Sequence, residues 1–311
     1  MNAEGVIPFA LPPTKEFVDG LPPGSLYLVA TPIGNLLDIS LRALHVLALV
    51  DLVAAEDTRR TGLLMRSYGL KKPLLSLYAH NEEKQSQHIL SLLQEGKTVA
   101  MVSDAGMPGI CDPGMRLVKQ AVEAGVRLVV IPGASAGITA LAASGLDTAT
   151  YAFGGFFPRR AKEQKAWLAL FGGFAGTVVF YESPKRLRDT LQRLREALGD
   201  RRCCVARELT KHYETFLRGS LAEVLQTLEE AGEVKGEIVV VMEGEPAQNS
   251  AGASPDEARE IALALLAEGK GKKEASMLLA KRIGMSAKAC YAMLVELDTL
   301  ENLSPPAAKT T

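Results

Sequence analysis

Short apolar runs alternate with longer amphipathic stretches along most of this chain. LYLVA (26–30), DLVAA (51–55), TVAMVS (98–103) and RLVVI (127–131) are rich in Val, Leu and Ala and show no polar alternation. That pattern predicts strands buried on both faces. Between them SLRALHVLALV, EKQSQHILSLLQEG and PGMRLVKQAVEAG carry apolar residues at helical spacing. Gly96 and Gly125 close the last two, where a helix commonly stops. Strands alternating with helices predict a parallel sheet covered on both faces.

A second set follows. TVVFYE (177–182), CCVARE (203–208) and EIVVVMEG (237–244) predict strands, with helices in PKRLRDTLQRLREALG and LAEVLQTLEEAG. GGFFPRRAKEQ predicts a loop between the sets, with a domain split near Ala149 to Phe153. EPAQNSAGASP is small and polar and predicts a linker. Three short helices come next, in DEAREIALALLAEG, KKEASMLLAKRIG and SAKACYAMLVELDTL. Gly269 and Gly284 end the first two, and Ser254 and Ser286 stand as N-caps. The last two helices have the helix-turn-helix pattern of a nucleic-acid module, which a small packed bundle shares. The expected class is α/β, with two α/β domains and a C-terminal helical module. The expected organisation is a loose tail over 1–23, α/β domains over 24–149 and 150–246, a linker over 247–254, a helical module over 255–300 and a tail over 301–311.

A length of 311 residues gives room for two or three cores, and 47% apolar with 23% charged residues is ordinary for a soluble globular protein. No apolar stretch is long enough to span a membrane, and the N-terminus lacks the pattern of a secretory signal. Cys111, Cys203, Cys204 and Cys290 form no CxxC pair, which argues against a metal site or disulfide framework and for a reduced, cytoplasmic setting. The net charge of −1 weighs against a uniformly basic nucleic-acid binder. Cations nevertheless gather at Arg159, Arg160, Lys162 and Lys165, and at Lys185, Arg186 and Arg188. A third group holds Lys270, Lys272, Lys273, Lys281, Arg282 and Lys288. Such groups serve either as solvated helix faces or as phosphate contacts.

Four strand ends of the first set share a character. They read ATPIGNLLDIS, AAEDTRR, VSDAGMPGICDPG and PGASAGITALAASG. In an open parallel sheet, ligands sit beyond the carboxyl ends of the strands, and glycine there lets backbone approach a ligand. The usual phosphate loops, GxxxxGK[ST] and GxGxxG, are missing. The loops carry Asp38, Glu56, Asp57, Asp104 and Asp112 instead. An acidic, glycine-lined cleft repels phosphate and suits a cation, or a ribose whose hydroxyls need acceptors. S-adenosylmethionine meets both descriptions.

The series TPIGNLLDIS, AAEDTR, VSDAGMPGICDPG, IPGASA, FYESPKRL and GEIVVVMEG resembles the tetrapyrrole-methylase-like methyltransferases, and within them the ribosomal RNA small subunit methyltransferase I family. The match runs in order from about Gly24 to Gly244. It departs from the corrin- and porphyrin-modifying relatives at the first loop, where TPIGN replaces a GxGPG-type turn. The resemblance implies S-adenosylmethionine in a cleft between two α/β domains, and a homodimer. It implies 2′-O-methylation of cytidine 1402 of 16S rRNA, in the decoding centre of the small ribosomal subunit. Methylation of a tetrapyrrole or corrin is the alternative, and a non-catalytic nucleic-acid-binding protein on an enzyme scaffold is a third reading.

Under that resemblance Ser103, Asp104, Ala105, Gly106 and Met107 line the methionine end of the cofactor, with Pro32, Ile33 and Gly34 as one wall. Ser135 and Ala136 approach it from a helix N-terminus, and Gly236, Glu237 and Ile238 meet the adenine. Each group also has a plain structural reading, as a turn, a cap or a strand start. Methyl transfer to a ribose oxygen needs alignment and a proton acceptor. Asp57 and Glu208 are the chosen acceptors, from a set that includes Glu56, Asp104, His80, Glu182 and Lys211. Arg59, Arg60, Arg159, Arg160, Lys162, Lys185 and Arg186 are expected phosphate contacts, with Lys211, Lys272 and Lys273. Phe153, Phe156 and Phe157 serve either as a stacking platform for a splayed base or as an interdomain apolar cluster.

Overall fold

The apolar runs of the first set form one sheet of five parallel strands. The computed structural model describes residues 20–245, 255–268, 270–283 and 287–302. Strands β1 (Ser25–Val29), β2 (Leu52–Ala55), β3 (Leu74–Ser76), β4 (Val99–Val102) and β5 (Arg127–Ile131) lie in the order β3-β2-β4-β1-β5. Between them run α1 (Leu41–Leu49), α2 (Thr58–Ser67), α3 (Glu82–Gln94) and α4 (Met115–Glu123). Alternate strand residues face opposite layers. Val29, Val53 and Ala55 pack with Val46, Leu47 and Met65 of α1 and α2. Leu26, Leu28 and Ala54 pack with Ile89, Leu93 and Leu117 of α3 and α4. Burial of both faces is why the central strands β1, β2 and β4 are apolar with no polar alternation.

β5 departs from the expectation of full burial. It is an edge strand, so Arg127 is exposed and Val130 is 49% exposed. The opposite edge, β3, is three half-buried residues with no predicted counterpart.

The second set forms a mixed sheet. Its strands are β6 (Tyr151–Phe156), β7 (Thr177–Glu182), β8 (Arg202–Arg207), β9 (Thr215–Ser220) and β10 (Ile238–Met242), in the order β6-β7-β10-β8-β9. Only β6 and β7 pair in parallel; the other neighbours are antiparallel. GGFFPRR, expected as a loop, starts inside β6, and the register shifts between Phe153 and Phe156 across the glycine pair. Helices α6 (Ala161–Phe171), α7 (Leu187–Leu198) and α8 (Leu221–Ala231) cover one face through Trp167, Leu191, Leu194 and Leu225.

The other face takes the helix that follows β5. This helix, α5 (Ala136–Ser144), packs on β7, β8 and β10 through Ala140 and Leu141, against Val179, Cys204 and Val239. Ile33 from the first loop joins the same cluster. The chain crosses from one sheet to the other through α5, and the carboxyl ends of the first sheet's strands come to face the second sheet.

Residues up to Gly244 form one compact unit and those from Glu245 another. The second unit contains α9 (Pro255–Ala267), α10 (Lys272–Ile283) and α11 (Ala287–Asn302), around Ala262, Leu265, Ala275, Leu279, Cys290 and Leu294. The expected tail as far as residue 19, the 247–254 linker, the caps Ser254 and Ser286, the stops Gly269 and Gly284, and the end beyond residue 302 lie outside the described residues. The side chains of Lys281, Arg282 and Lys288 do so too. Among the described residues no helix is long and apolar enough to cross a membrane, and no cluster of His, Cys, Asp or Glu could hold a metal ion.

Candidate functional site

Where the two sheets face each other a recess of about 420 Å³ opens. Ile33 enters it after β1, Glu56 and Arg60 after β2, and Asp104 to Met107 with Ile110 to Asp112 after β4. Ser135 and Ala136 enter at the start of α5. The second sheet supplies Phe156, Tyr181 to Pro184, Leu209 and Gly236 to Val239. A smaller recess of about 210 Å³ adjoins the first. It shares Ile33, Arg60, Asp104, Ala105 and Glu237 with the larger, and adds Pro32, Gly34, Ser103 and Lys211 among others. Every position expected to contact a cofactor therefore lines one recess or the other.

Backbone contacts bring these loops together. Thr31 and Gly106 exchange both backbone hydrogen bonds, at 2.9 and 3.0 Å, which stitches the β1 loop to the β4 loop. The Thr31 hydroxyl also donates to the Ser103 carbonyl at 3.2 Å. Gly34 abuts the turn between β8 and β9. A Cβ there would stand 2.5 Å from Lys211 Cγ and 2.8 Å from the Leu209 carbonyl oxygen, so only glycine allows the approach. Gly236 has φ +98°, and its missing Cβ would stand 2.5 Å from the Glu208 carboxylate.

Three carboxylates from the first sheet's loops, Glu56, Asp104 and Asp112, converge on the larger recess. Burial, then repulsion from Asp104, raises the Glu56 carboxyl above its ordinary range. Burial, then Glu56, pushes Asp112 up to about 6, with Asp104 adding to the effect. Asp104 accepts from the Asp57 backbone N–H at 3.1 Å and pairs with Arg60 at 3.3 Å. On the other wall the Glu182 side chain is fully buried. It accepts from the Ser183 N–H and the Thr190 hydroxyl, both at 2.6 Å, and pairs with Arg186 at 3.3 Å. Above it the Tyr181 ring meets Phe153 and Phe156 edge-on, at 5.0 and 5.4 Å between centroids.

Asp57 and Glu208, the expected proton acceptors, line neither recess. Asp57 caps α2 by accepting from the Arg59 N–H at 2.9 Å, and its two oxygens hold the Arg59 guanidinium at 3.1 and 2.9 Å. Those bonds hold its carboxyl at about 2. Glu208 accepts from Lys211 Nζ at 2.8 Å and from the Glu237 N–H at 2.9 Å, which keep it below the usual range. A carboxylate held ionised by such partners is a weaker base.

The expected phosphate contacts divide. Arg159, Arg160, Lys162 and Lys185 are exposed, and Arg160 pairs with Glu163 at 3.4 Å. Arg59 is exposed but held by Asp57. Arg186 turns its guanidinium inward and donates to the Phe157 and Pro158 carbonyls at 3.1 and 2.7 Å. Lys211 lies between Glu208 and Glu237, and burial, which favours its neutral form, is outweighed by those bonds so that its pKa is raised. Lys272 and Lys273 open α10 in the C-terminal unit.

Phe157 is buried against Trp167 and Phe180, whereas Phe156 is 59% exposed. His80 and His212 line neither recess. Sequence reasoning missed Tyr181, Ser183, Pro184, Cys111 and Leu209 as lining residues. The strand-end rule that found the first sheet's loops would have found FYESP at the end of β7 as well.

The chain matches the family described as Tetrapyrrole (Corrin/Porphyrin) Methylases over residues 25–225. It is 44% identical over 271 residues to the ribosomal RNA small subunit methyltransferase I of Haemophilus influenzae, covering 86% of this chain and 95% of that protein. It is 42% identical over 270 residues to the protein of that name from Pasteurella multocida, with the same coverage. Among solved structures, uroporphyrin-III C-methyltransferase from Thermus thermophilus complexed with S-adenosyl homocysteine superposes with a TM-score of 0.50 at 18% identity. That match covers 70% of this chain and 97% of that one, and speaks to the fold alone. The matched length, the relatives' names and the two-sheet fold agree: the chain belongs to the ribosomal RNA small subunit methyltransferase I family.

Proposed function

We propose that this methyltransferase takes its methyl group from S-adenosylmethionine and places it on the 2′-oxygen of a cytidine in the decoding centre of 16S rRNA. The observation that carries the reading is the convergence of Glu56, Asp104 and Asp112 in a recess that Gly106 and Gly236 also line. The residues present fit the donor. The carboxylates complement a sulfonium, an ammonium and ribose hydroxyls. When bound, S-adenosylmethionine supplies an electrophilic methyl group on a cationic sulfur.

Asp104 with Ala105, Gly106 and Met107 would hold the methionine end, and Pro32, Ile33 and Gly34 would wall it. Ser135, Ala136 and the backbone of Gly236, Glu237 and Ile238 would take the nucleoside. Holding two reactants in line is the chief service such a site performs. Glu56 and Asp112 replace Asp57 and Glu208 as proton acceptors, because they face the recess and their carboxyls are raised toward neutrality.

The exposed cations Arg59, Arg60, Arg159, Arg160, Lys162 and Lys185 would contact rRNA phosphates, and Lys272 and Lys273 would do so from a helical RNA-binding module. A homodimer is supported by exposed apolar side chains, Val130 on the edge strand β5 and Tyr151 and Phe156 on the edge strand β6. The test is mass-spectrometric mapping of ribose methylation in 16S rRNA from cells lacking this gene, with and without complementation. Loss of one 2′-O-methylcytidine, restored by the gene, is expected. An unchanged methylation map would contradict the reading.

A further inference from the structure

The two recesses share a wall, and that wall is built from ion pairs. Arg60 and Asp104, paired at 3.3 Å, both line the two recesses. Lys211 lines only the smaller recess, and its partner at 3.1 Å, Glu237, lines both. The charges are therefore sorted. Carboxylates dominate the larger recess, and both cations reach the smaller one. The Arg60 pair is the more loosely held, since Lys211 also keeps Glu208 at 2.8 Å. The Arg60 side chain is 68% exposed and that of Glu237 is 70% exposed. Exposed ion pairs of this kind are weak and exchange partners readily.

We infer that the Arg60–Asp104 pair couples the two recesses by exchange of partners: a cationic ligand in the larger recess engages Asp104, which releases Arg60 to bind an RNA phosphate in the smaller, beside Lys211. The inference rests on the donor and RNA reading above and adds an order to it. Without the cation, Asp104 holds Arg60 and competes with phosphate for it. With the cation in place, a phosphate becomes the best partner left to Arg60. By linkage, RNA in the smaller recess strengthens binding of the cationic ligand by the same factor. A neutral sulfur in that position leaves the pair largely as it is, so the spent cofactor weakens the hold on RNA.

Two unreactive analogues separate the charge from the shape. Sinefungin carries an ammonium where S-adenosylmethionine has its sulfonium, and S-adenosyl homocysteine has a neutral thioether. Fluorescence anisotropy with a labelled RNA oligonucleotide of the small-subunit target segment would be run on the full chain with each analogue at saturation. The inference predicts RNA binding about five-fold tighter or more with sinefungin than with S-adenosyl homocysteine. It further predicts that Arg60→Gln abolishes most of the difference while binding sinefungin at least as tightly as before. Equal RNA affinity with the two analogues would overturn the exchange, and so would an enhancement that survives Arg60→Gln intact. Failure of either analogue to bind would overturn the donor reading along with it. Binding of both analogues and of RNA without coupling would overturn the exchange alone.

Discussion

Asp112 is where the electrostatics of the recess are most displaced. Its carboxyl titrates near 6 in the folded chain against 3.8 for the free group, because burial and Glu56 disfavour its charge. The folded state binds the proton more tightly than the unfolded state, so this group's contribution to stability falls as pH rises from about 4 to about 6. Asp112→Asn should therefore raise the melting temperature above pH 6, by about 2 °C after allowance for solvent screening, and change little below pH 4. Thermal scans across pH check this, and a lowered melting temperature at pH 8 would count against it. A bound cation pulls the same pKa down, so donor binding at pH 6 should release a proton, seen as a calorimetric heat that varies with the buffer's ionisation enthalpy. Gly236→Ala makes a second prediction. With φ +98° and Glu208 in the way, it should cost about 1–3 kcal/mol in denaturant unfolding. At this scale the sequence was legible in part. Acidic residues after strands marked the cleft, but nothing in the spacing said that Arg59 would claim Asp57 or that Lys211 would claim Glu208.

The turn from β7 into α7 depends on one buried carboxylate. Glu182 gathers Ser183, Thr190 and Arg186, and Arg186 ties in the carbonyls that follow β6. Glu182→Ala leaves Arg186 without its anion and should destabilise the chain by about 3 kcal/mol. Chemical denaturation measures this, and a loss under 1 kcal/mol would show the network to be dispensable. Elements with two buried faces, β1, β2, β4, β7, β8 and β10, were legible because their central positions are apolar without alternation. Those that escaped were edges. β3 is too short for a pattern, β6 carries Gly154 and Gly155, and β9 mixes Thr, Arg and Gly with Phe and Leu. β5 was found but misplaced, because an apolar run does not reveal whether a neighbour pairs on each side.

Across the whole molecule, the unit ending at Gly244 contains both sheets and both recesses, and the helical unit has its own core. A chain ending at residue 245 should therefore bind S-adenosylmethionine within about two-fold of the full protein. Its affinity for rRNA should fall by about five-fold, with a shallower salt dependence as Lys272 and Lys273 are lost. An unchanged RNA affinity would make the helical unit a structural addition only. The alternation of strands and helices made the two-sheet plan legible, whereas the crossing of α5 from one sheet to the other was not, since a helix sequence does not say which sheet it covers.

The most direct test is a calorimetric titration of S-adenosylmethionine into the wild-type protein and into Asp104→Ala, with circular dichroism confirming that both are folded. An acidic recess that holds a cationic donor predicts binding to the wild type and affinity at least about ten-fold weaker in the variant. Equal affinities in two folded proteins would contradict it.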